Sequence, residues 1–166
     1  MPTVEEGFAA IDAANADDPH GKELDHAERA VGWVRRLRPD ASDALLLAAP
    51  VMGMAPTSTG RGYLLASADG GVFAFGDATY RGGAVGQVRS PVTGIAAAPG
   101  GYWLVTADGG VYAYGLAAFH GRARHHRPIV GITAHPDGGG YWLVASDGAV
   151  FAFGRARWHG SSPLAG

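Results

Sequence analysis

The chain has 166 residues, 47% hydrophobic and 17% charged, a balance that is typical of a folded protein and argues against disorder. Its formal net charge is −2, but residues 1–49 carry ten acidic residues against five Lys or Arg, while residues 50–166 carry five against eight. The weakly basic second part lacks the dense basic stripe of a nucleic-acid-binding surface. The absence of cysteine excludes a disulfide framework and any thiolate metal site.

Targeting signals are not evident at the start of the chain. The first residues, MPTVEEGFAA, lack the basic and apolar regions of a signal peptide. No apolar run approaches the ~20 residues that a membrane span requires. We therefore expect no membrane span and, by default, a cytoplasmic location.

Residues 1–49 are predicted to form about three short helices. Thr3 and Glu6 fit a capping box that begins the first helix. Apolar residues at helical spacing predict a second helix from about Lys22 to Arg38, and Asp40 can cap a third. Three short helices bury little core alone, so we expect this segment to dock on the rest of the chain or on a partner subunit.

The same segment contains several specific sequence motifs. They are Phe8, DAANADDP at 12–19, AER at 27–29, Trp33 and PDASDAL at 39–45. Together they resemble the start of a bacterial helical family of unknown function. In that family further helices with histidines complete an all-α domain, whereas this chain departs from the pattern at Pro50. The resemblance therefore assigns no functional residue here.

Residues 50–166 consist of three copies of one unit, at 50–90, 91–127 and 128–166. Matching residues recur 39 positions apart, as in the Asp-Gly pairs at Asp69, Asp108 and Asp147. Internal repeats of this length predict stacked structural units. Each copy is predicted to contain four short strands, the second and third joined by a two-residue type I′ turn at Asp-Gly. The predicted fold is mainly β with a small α-helical N-terminal segment and three four-stranded, blade-like repeats.

The predicted turn also sets a register. It places Ala66 opposite Phe73 and Leu64 opposite Phe75. In the third copy, one face of the hairpin then carries the larger side chains, and the other face carries mostly smaller ones toward its third strand. The first set is Trp142, Val144, Phe151 and Phe153, and the second is Tyr141, Leu143, Val150, Ala152 and Gly154. We expect the larger face of one copy to pack on the smaller face of the next, in a ring or in a line.

The repeated unit, best seen as GYWLVASDGAVFAFG at 140–154, resembles tandem repeats of actinobacterial proteins, often found outside the cell, and the four-stranded blades of β-propellers. The resemblance covers nearly all of residues 50–166. It implies a propeller-like arrangement, and it makes an extracellular location the alternative to a cytoplasmic one. Propellers typically have four to eight blades, so three copies require completion by two or three chains, or capping as an open array. We expect a homo-oligomer, with a dimer favoured over the capped array.

An aromatic residue and a polar residue stand before a glycine near the end of each copy. The pairs are Tyr80 and Arg81, Phe119 and His120, and Trp158 and His159. These six are the candidate ligand-binding residues, one site per repeat, and solvent-facing residues at a strand end are the plainer interpretation. No carboxylate recurs beside the histidines, which disfavours a metal site.

Other recurring residues have structural interpretations. Aspartate favours the first central position of a hairpin turn, which explains the three Asp-Gly pairs. We expect Trp103 and Trp142 in the core between copies. The basic run His125-His126-Arg127 is interpreted as a solvated loop, with contact to an acidic partner as the alternative.

The sequence contains no recognised catalytic motif. A Gly-x-Ser-x-Gly elbow, a phosphate-binding loop and a His-Glu-x-x-His motif are all missing. We therefore expect no enzyme activity, no cofactor and no metal. The predicted function is a non-catalytic binding or scaffolding module that mediates protein–protein interaction. The alternatives are a multivalent carbohydrate or cell-wall-binding, lectin-like module and, last, a remnant of an enzyme of the N-terminal helical family.

Overall fold

The computed structural model describes residues 49–162, so the helices predicted before Pro50 lie outside the described residues. The described part consists of strands and loops, with no helix that could cross a membrane. Its nine strands form three antiparallel sheets of three consecutive strands each. Sheet 1 contains β1 Val51–Pro56, β2 Gly62–Ser67 and β3 Val72–Gly76; sheet 2 contains β4 Val92–Ala98, β5 Gly101–Thr106 and β6 Val111–Gly115; sheet 3 contains β7 Ile129–Ala134, β8 Gly140–Ala145 and β9 Val150–Gly154.

The predicted fourth strand of each blade is not confirmed. The described residues between β3 and β4, between β6 and β7, and after β9 form no strand. We call these stretches, 77–90, 116–127 and 155–162, the return segments. In the first one, the Ala84 N–H donates to the Gly70 carbonyl at 2.8 Å, so this segment meets the hairpin loop. Gly82 has a φ of 126°, which is incompatible with a regular ladder position.

The predicted register of the hairpins is wrong by one residue. A type I′ turn needs positive φ at both central positions, but no described residue other than glycine has one. Instead, the Ser67 N–H donates to the Gly71 carbonyl at 2.9 Å, which closes a three-residue loop over 68–70. Leu65 therefore pairs with Phe73, a position that the two-residue turn assigned to Ala66.

A one-residue slip moves side chains between the faces of a sheet, so the predicted faces are also wrong. We name the observed faces after a shared residue. The tyrosine face carries Tyr63, Leu65, Phe73 and Phe75 in sheet 1, Tyr102, Leu104, Tyr112 and Tyr114 in sheet 2, and Tyr141, Leu143, Phe151 and Phe153 in sheet 3. The valine face carries Leu64, Ala66, Val72 and Ala74, then Trp103, Val105, Val111 and Ala113, then Trp142, Val144, Val150 and Ala152.

The sheets pack through unlike faces, but the residues on each face differ from those predicted. The valine face of sheet 1 packs on the tyrosine face of sheet 2, and the valine face of sheet 2 packs on the tyrosine face of sheet 3. At the second of these junctions, fully buried Trp103 lies 5.2 Å from Tyr141 between ring centroids, which confirms the core position expected for Trp103. Each junction thus buries a continuous apolar layer, the main source of stability in stacked repeats.

A buried tyrosine hydroxyl joins sheet 2, and another joins sheet 3, to the return segment of the preceding repeat. The Tyr102 hydroxyl donates to the Gly82 carbonyl at 2.6 Å and accepts the Arg81 N–H at 2.8 Å. The Tyr141 hydroxyl makes the same pair of bonds with repeat 2. Burial raises the pKa of Tyr102 to about 12, which keeps its hydroxyl protonated and able to donate. We call this arrangement the tyrosine bridge.

Replacement of Gly109 by alanine should destabilise the protein strongly. Gly109 has a φ of 84°, and a Cβ there would collide with the Ala123 carbonyl oxygen of the return segment. Gly60, with a φ of 69° and open space around it, is the matched control. Gly60→Ala should cost about 1–2 kcal/mol for the left-handed backbone alone, and Gly109→Ala about 1–3 kcal/mol more for the collision. Urea denaturation measures both, and equal losses would contradict the close approach.

Candidate functional site

One aromatic position of the repeat lies at the surface in all three copies of the described part. Tyr80, Phe119 and Trp158 are 44%, 59% and 61% exposed. The first two lie directly before the residues whose backbone is held by a tyrosine bridge. The bridge therefore fixes the backbone next to Tyr80 and Phe119, while their rings remain in contact with solvent. We call these three residues the aromatic row.

The polar residues beside the aromatic row do not behave alike. Arg81 and His159 are exposed. The His120 ring instead turns toward the junction between sheets 2 and 3, where its centroid lies 6.4 Å from Trp103 and 5.8 Å from Tyr141. Its Nε2 is buried and has no hydrogen-bond partner among residues 49–162. The structure thus repeats the exposed aromatic residue in all three copies but does not repeat an exposed polar partner.

The hairpin aspartates of the first two repeats act as turn residues, as interpreted from the sequence. Asp69 Oδ1 accepts hydrogen bonds from the Ser67 hydroxyl at 2.5 Å and the Gly71 N–H at 3.2 Å. Asp108 does the same with Thr106 and Gly110. The Thr106 hydroxyl is the main reason why the pKa of Asp108 lies below its ordinary value. These carboxylates close their own loops.

Asp147 of the third repeat has a different partner. The position occupied by Ser67 or Thr106 in the other copies is Ala145 here, which has no hydroxyl. The Oδ2 atom of Asp147 instead lies 2.8 Å from the Nε2 atom of His125, whose side chain is largely buried. This hydrogen bond, followed by one from the Ala149 N–H, lowers the pKa of Asp147. The interpretation of His125 as part of a solvated loop is therefore wrong.

His125, His126 and Asp147 are the one group within the described residues whose ligand atoms could converge on a metal ion. These atoms lie within 4.8 Å of one another. Two imidazoles and a carboxylate are suitable ligands for Zn²⁺. In the present geometry, however, the His125 and Asp147 atoms are hydrogen-bonded to each other, so a metal would have to replace that bond. Sequence reasoning missed this contact because 22 residues separate the two partners.

Substitution of His125 should change the titration of Asp147. The carboxyl carbon of Asp147, followed by NMR, should titrate below its ordinary pKa of about 3.9. His125→Ala should raise that pKa, whereas His126→Ala should change it much less, because His126 is exposed and its Nε2 lies 4.0 Å from the carboxylate. A titration unaffected by His125→Ala would contradict the contact.

The same pair should influence acid stability. A carboxyl whose pKa is lower in the folded state stabilises the fold above its unfolded pKa of about 3.9, and this contribution is lost as the pH falls through the lower, folded value. The dependence of the unfolding free energy on pH below about 4 should therefore be less steep in His125→Ala than in the unsubstituted protein.

Comparisons with known proteins complete the description. No family model and no curated protein matches the chain. Among solved structures, the crystal structure of BamB from Moraxella catarrhalis is similar, with a TM-score of 0.47 and 12% sequence identity. The match covers 71% of this chain and 37% of that one, so the chain spans well under half of the BamB structure.

Proposed function

We propose that residues 49–162 form a non-catalytic binding module whose aromatic row engages a protein partner. The observation that carries this proposal is the exposure of a large aromatic side chain at the same position of all three repeats. Aromatic residues, with arginine, are the side chains that most often dominate the free energy of protein–protein binding. They lose little conformational entropy when an interface forms, because each has only two side-chain torsions.

The alternative, a multivalent carbohydrate-binding module, rests on the same three aromatic residues, since sugars stack on exposed rings. Such a site also requires polar side chains that hydrogen-bond the sugar hydroxyls. In the second repeat, the polar residue of the pair, His120, is turned into the junction between sheets. Three equivalent sugar sites are therefore disfavoured, while a protein surface, which needs no identical sites, is compatible with the arrangement.

Alanine substitution of the aromatic row should weaken partner binding. The immobilised protein is used to capture partners from an extract of its source cells, and each partner is then purified and titrated. Phe119→Ala and Trp158→Ala should each raise the Kd on the order of 30-fold, as expected for interface anchors. Val85→Ala, which truncates an exposed aliphatic side chain, is the matched control. Unchanged affinity in both aromatic variants would contradict the proposal.

A glycan array separates the two functions. We expect the purified protein to bind neither immobilised oligosaccharides nor cell-wall fragments. Carbohydrate binding that is lost in Trp158→Ala and retained in Val85→Ala would instead establish the lectin-like alternative.

A further inference from the structure

The two outermost faces of the three-sheet stack are unlike, and each matches a face that is paired inside the stack. Sheet 1 ends the stack with its tyrosine face, and sheet 3 ends it with its valine face. Each internal junction pairs one face of each kind. The stack therefore carries, at its opposite ends, the two halves of one further junction of the same kind.

The burial of corresponding residues marks these end faces as incomplete junctions. Tyr63 is 42% exposed, whereas its counterparts Tyr102 and Tyr141 are 1% and 0% exposed. At the other end, Val144 is 36% exposed, whereas its counterpart Val105 is fully buried. Apolar side chains that the internal junctions remove from water thus remain partly in water at both ends.

The hydrogen bonds of the tyrosine bridge show the same pattern. Both internal bridges join a tyrosine hydroxyl to the backbone at a glycine of the preceding return segment. Among the described residues, the Tyr63 hydroxyl has no such partner. The matching carbonyl at the other end of the stack belongs to Gly160. The two groups that form a tyrosine bridge inside the stack therefore recur at its opposite ends, as the Tyr63 hydroxyl and the Gly160 carbonyl.

The shape of the third return segment completes the match. Gly82 and Gly121 have φ values of 126° and 136°, and each lies against an aromatic ring of the following sheet, Tyr114 and Phe153. Gly160 has nearly the same backbone conformation, with a φ of 120°, but nothing lies within 4 Å of its Cβ direction. Within the described residues, the third return segment therefore has the backbone shape that faces a following sheet in the first two repeats.

We infer that sheet 1 of a second copy of this chain docks head to tail on sheet 3. The same junction then forms twice, and two copies close a ring of six sheets, which lies within the usual range of four to eight for such rings. In each new junction, Tyr63 of one copy donates to the Gly160 carbonyl of the other, and Val144 becomes buried. This inference is independent of the proposed function. Phe119 lies beside an internal junction and is still exposed, so formation of a junction does not bury this position of the aromatic row.

Sedimentation velocity and light scattering after size exclusion test the assembly. The purified full chain should have twice its mass of 17.0 kDa. Val144→Arg places a charge on a surface that is buried only in the assembly, so it should give a folded monomer. Leu116→Arg, on an exposed loop residue of the second repeat, is the matched control and should remain dimeric. A monomeric unsubstituted protein, or a Val144→Arg variant that still dimerises, would overturn the inference.

Tyr63→Phe provides a variant that removes only one oxygen atom. It should raise the dimer dissociation constant by about 10-fold or more, because it removes the hydroxyl from two symmetric junctions. Its circular dichroism spectrum should match that of the unsubstituted protein. An unchanged dissociation constant would exclude the tyrosine bridge between copies.

Mixing two monomeric variants tests the head-to-tail direction. Tyr63→Arg and Val144→Arg change opposite ends of the stack. In a homodimer of either variant, both junctions would therefore contain a substituted residue. A mixture of the two can form one junction that contains neither substitution. We expect a heterodimer to form on mixing. Failure of the two variants to associate would contradict head-to-tail docking. Partner binding through the aromatic row is tested separately by Phe119→Ala.

Discussion

The structure depends on the requirement that a buried tyrosine hydroxyl must find hydrogen-bond partners. Tyr102 and Tyr141 lie in apolar layers, where an unpaired hydroxyl would cost about 1–3 kcal/mol. In each case the partners are the backbone groups of the preceding return segment. The bridge therefore joins each of these sheets to the preceding repeat at the same position.

The tyrosine of the junctions is the same residue in all three repeats, whereas the facing valine face begins with Leu64 in the first repeat and with Trp103 and Trp142 in the others. The exposed aromatic position varies as Tyr80, Phe119 and Trp158 without any loss of exposure, as expected where packing does not restrict the side chain. In the third repeat, where Ala145 replaces the turn hydroxyl, Asp147 binds His125 through Oδ2, whereas Asp69 and Asp108 accept hydrogen bonds from the turn hydroxyls.

Much of the fold could be predicted from the sequence. Three of the four strands predicted in each copy agree with the described residues, and consecutive sheets pack through unlike faces. The register could not be predicted, because Asp-Gly is compatible with a two-residue turn and with a three-residue loop. The choice between them depends on the φ of Asp69 and on the hydrogen bond between Ser67 and Gly71, and neither follows from residue type alone. For the candidate site, the positions of the aromatic row could be read from the repeat. The orientation of the His120 ring toward the junction could not, because it depends on the packing of sheets 2 and 3.

The sequence by itself determined the 39-residue spacing, the hairpins, the tyrosine that follows the first glycine of each hairpin and the aromatic residue near the end of each copy, because these features depend on local residue order. Only the tertiary structure decided which of these side chains are buried. Tyr63, Tyr102 and Tyr141 occupy the same motif, yet the first is half exposed and the others are buried. The physical reason is that burial depends on the surface that packs opposite a side chain, and that surface belongs to a distant part of the chain or to another molecule.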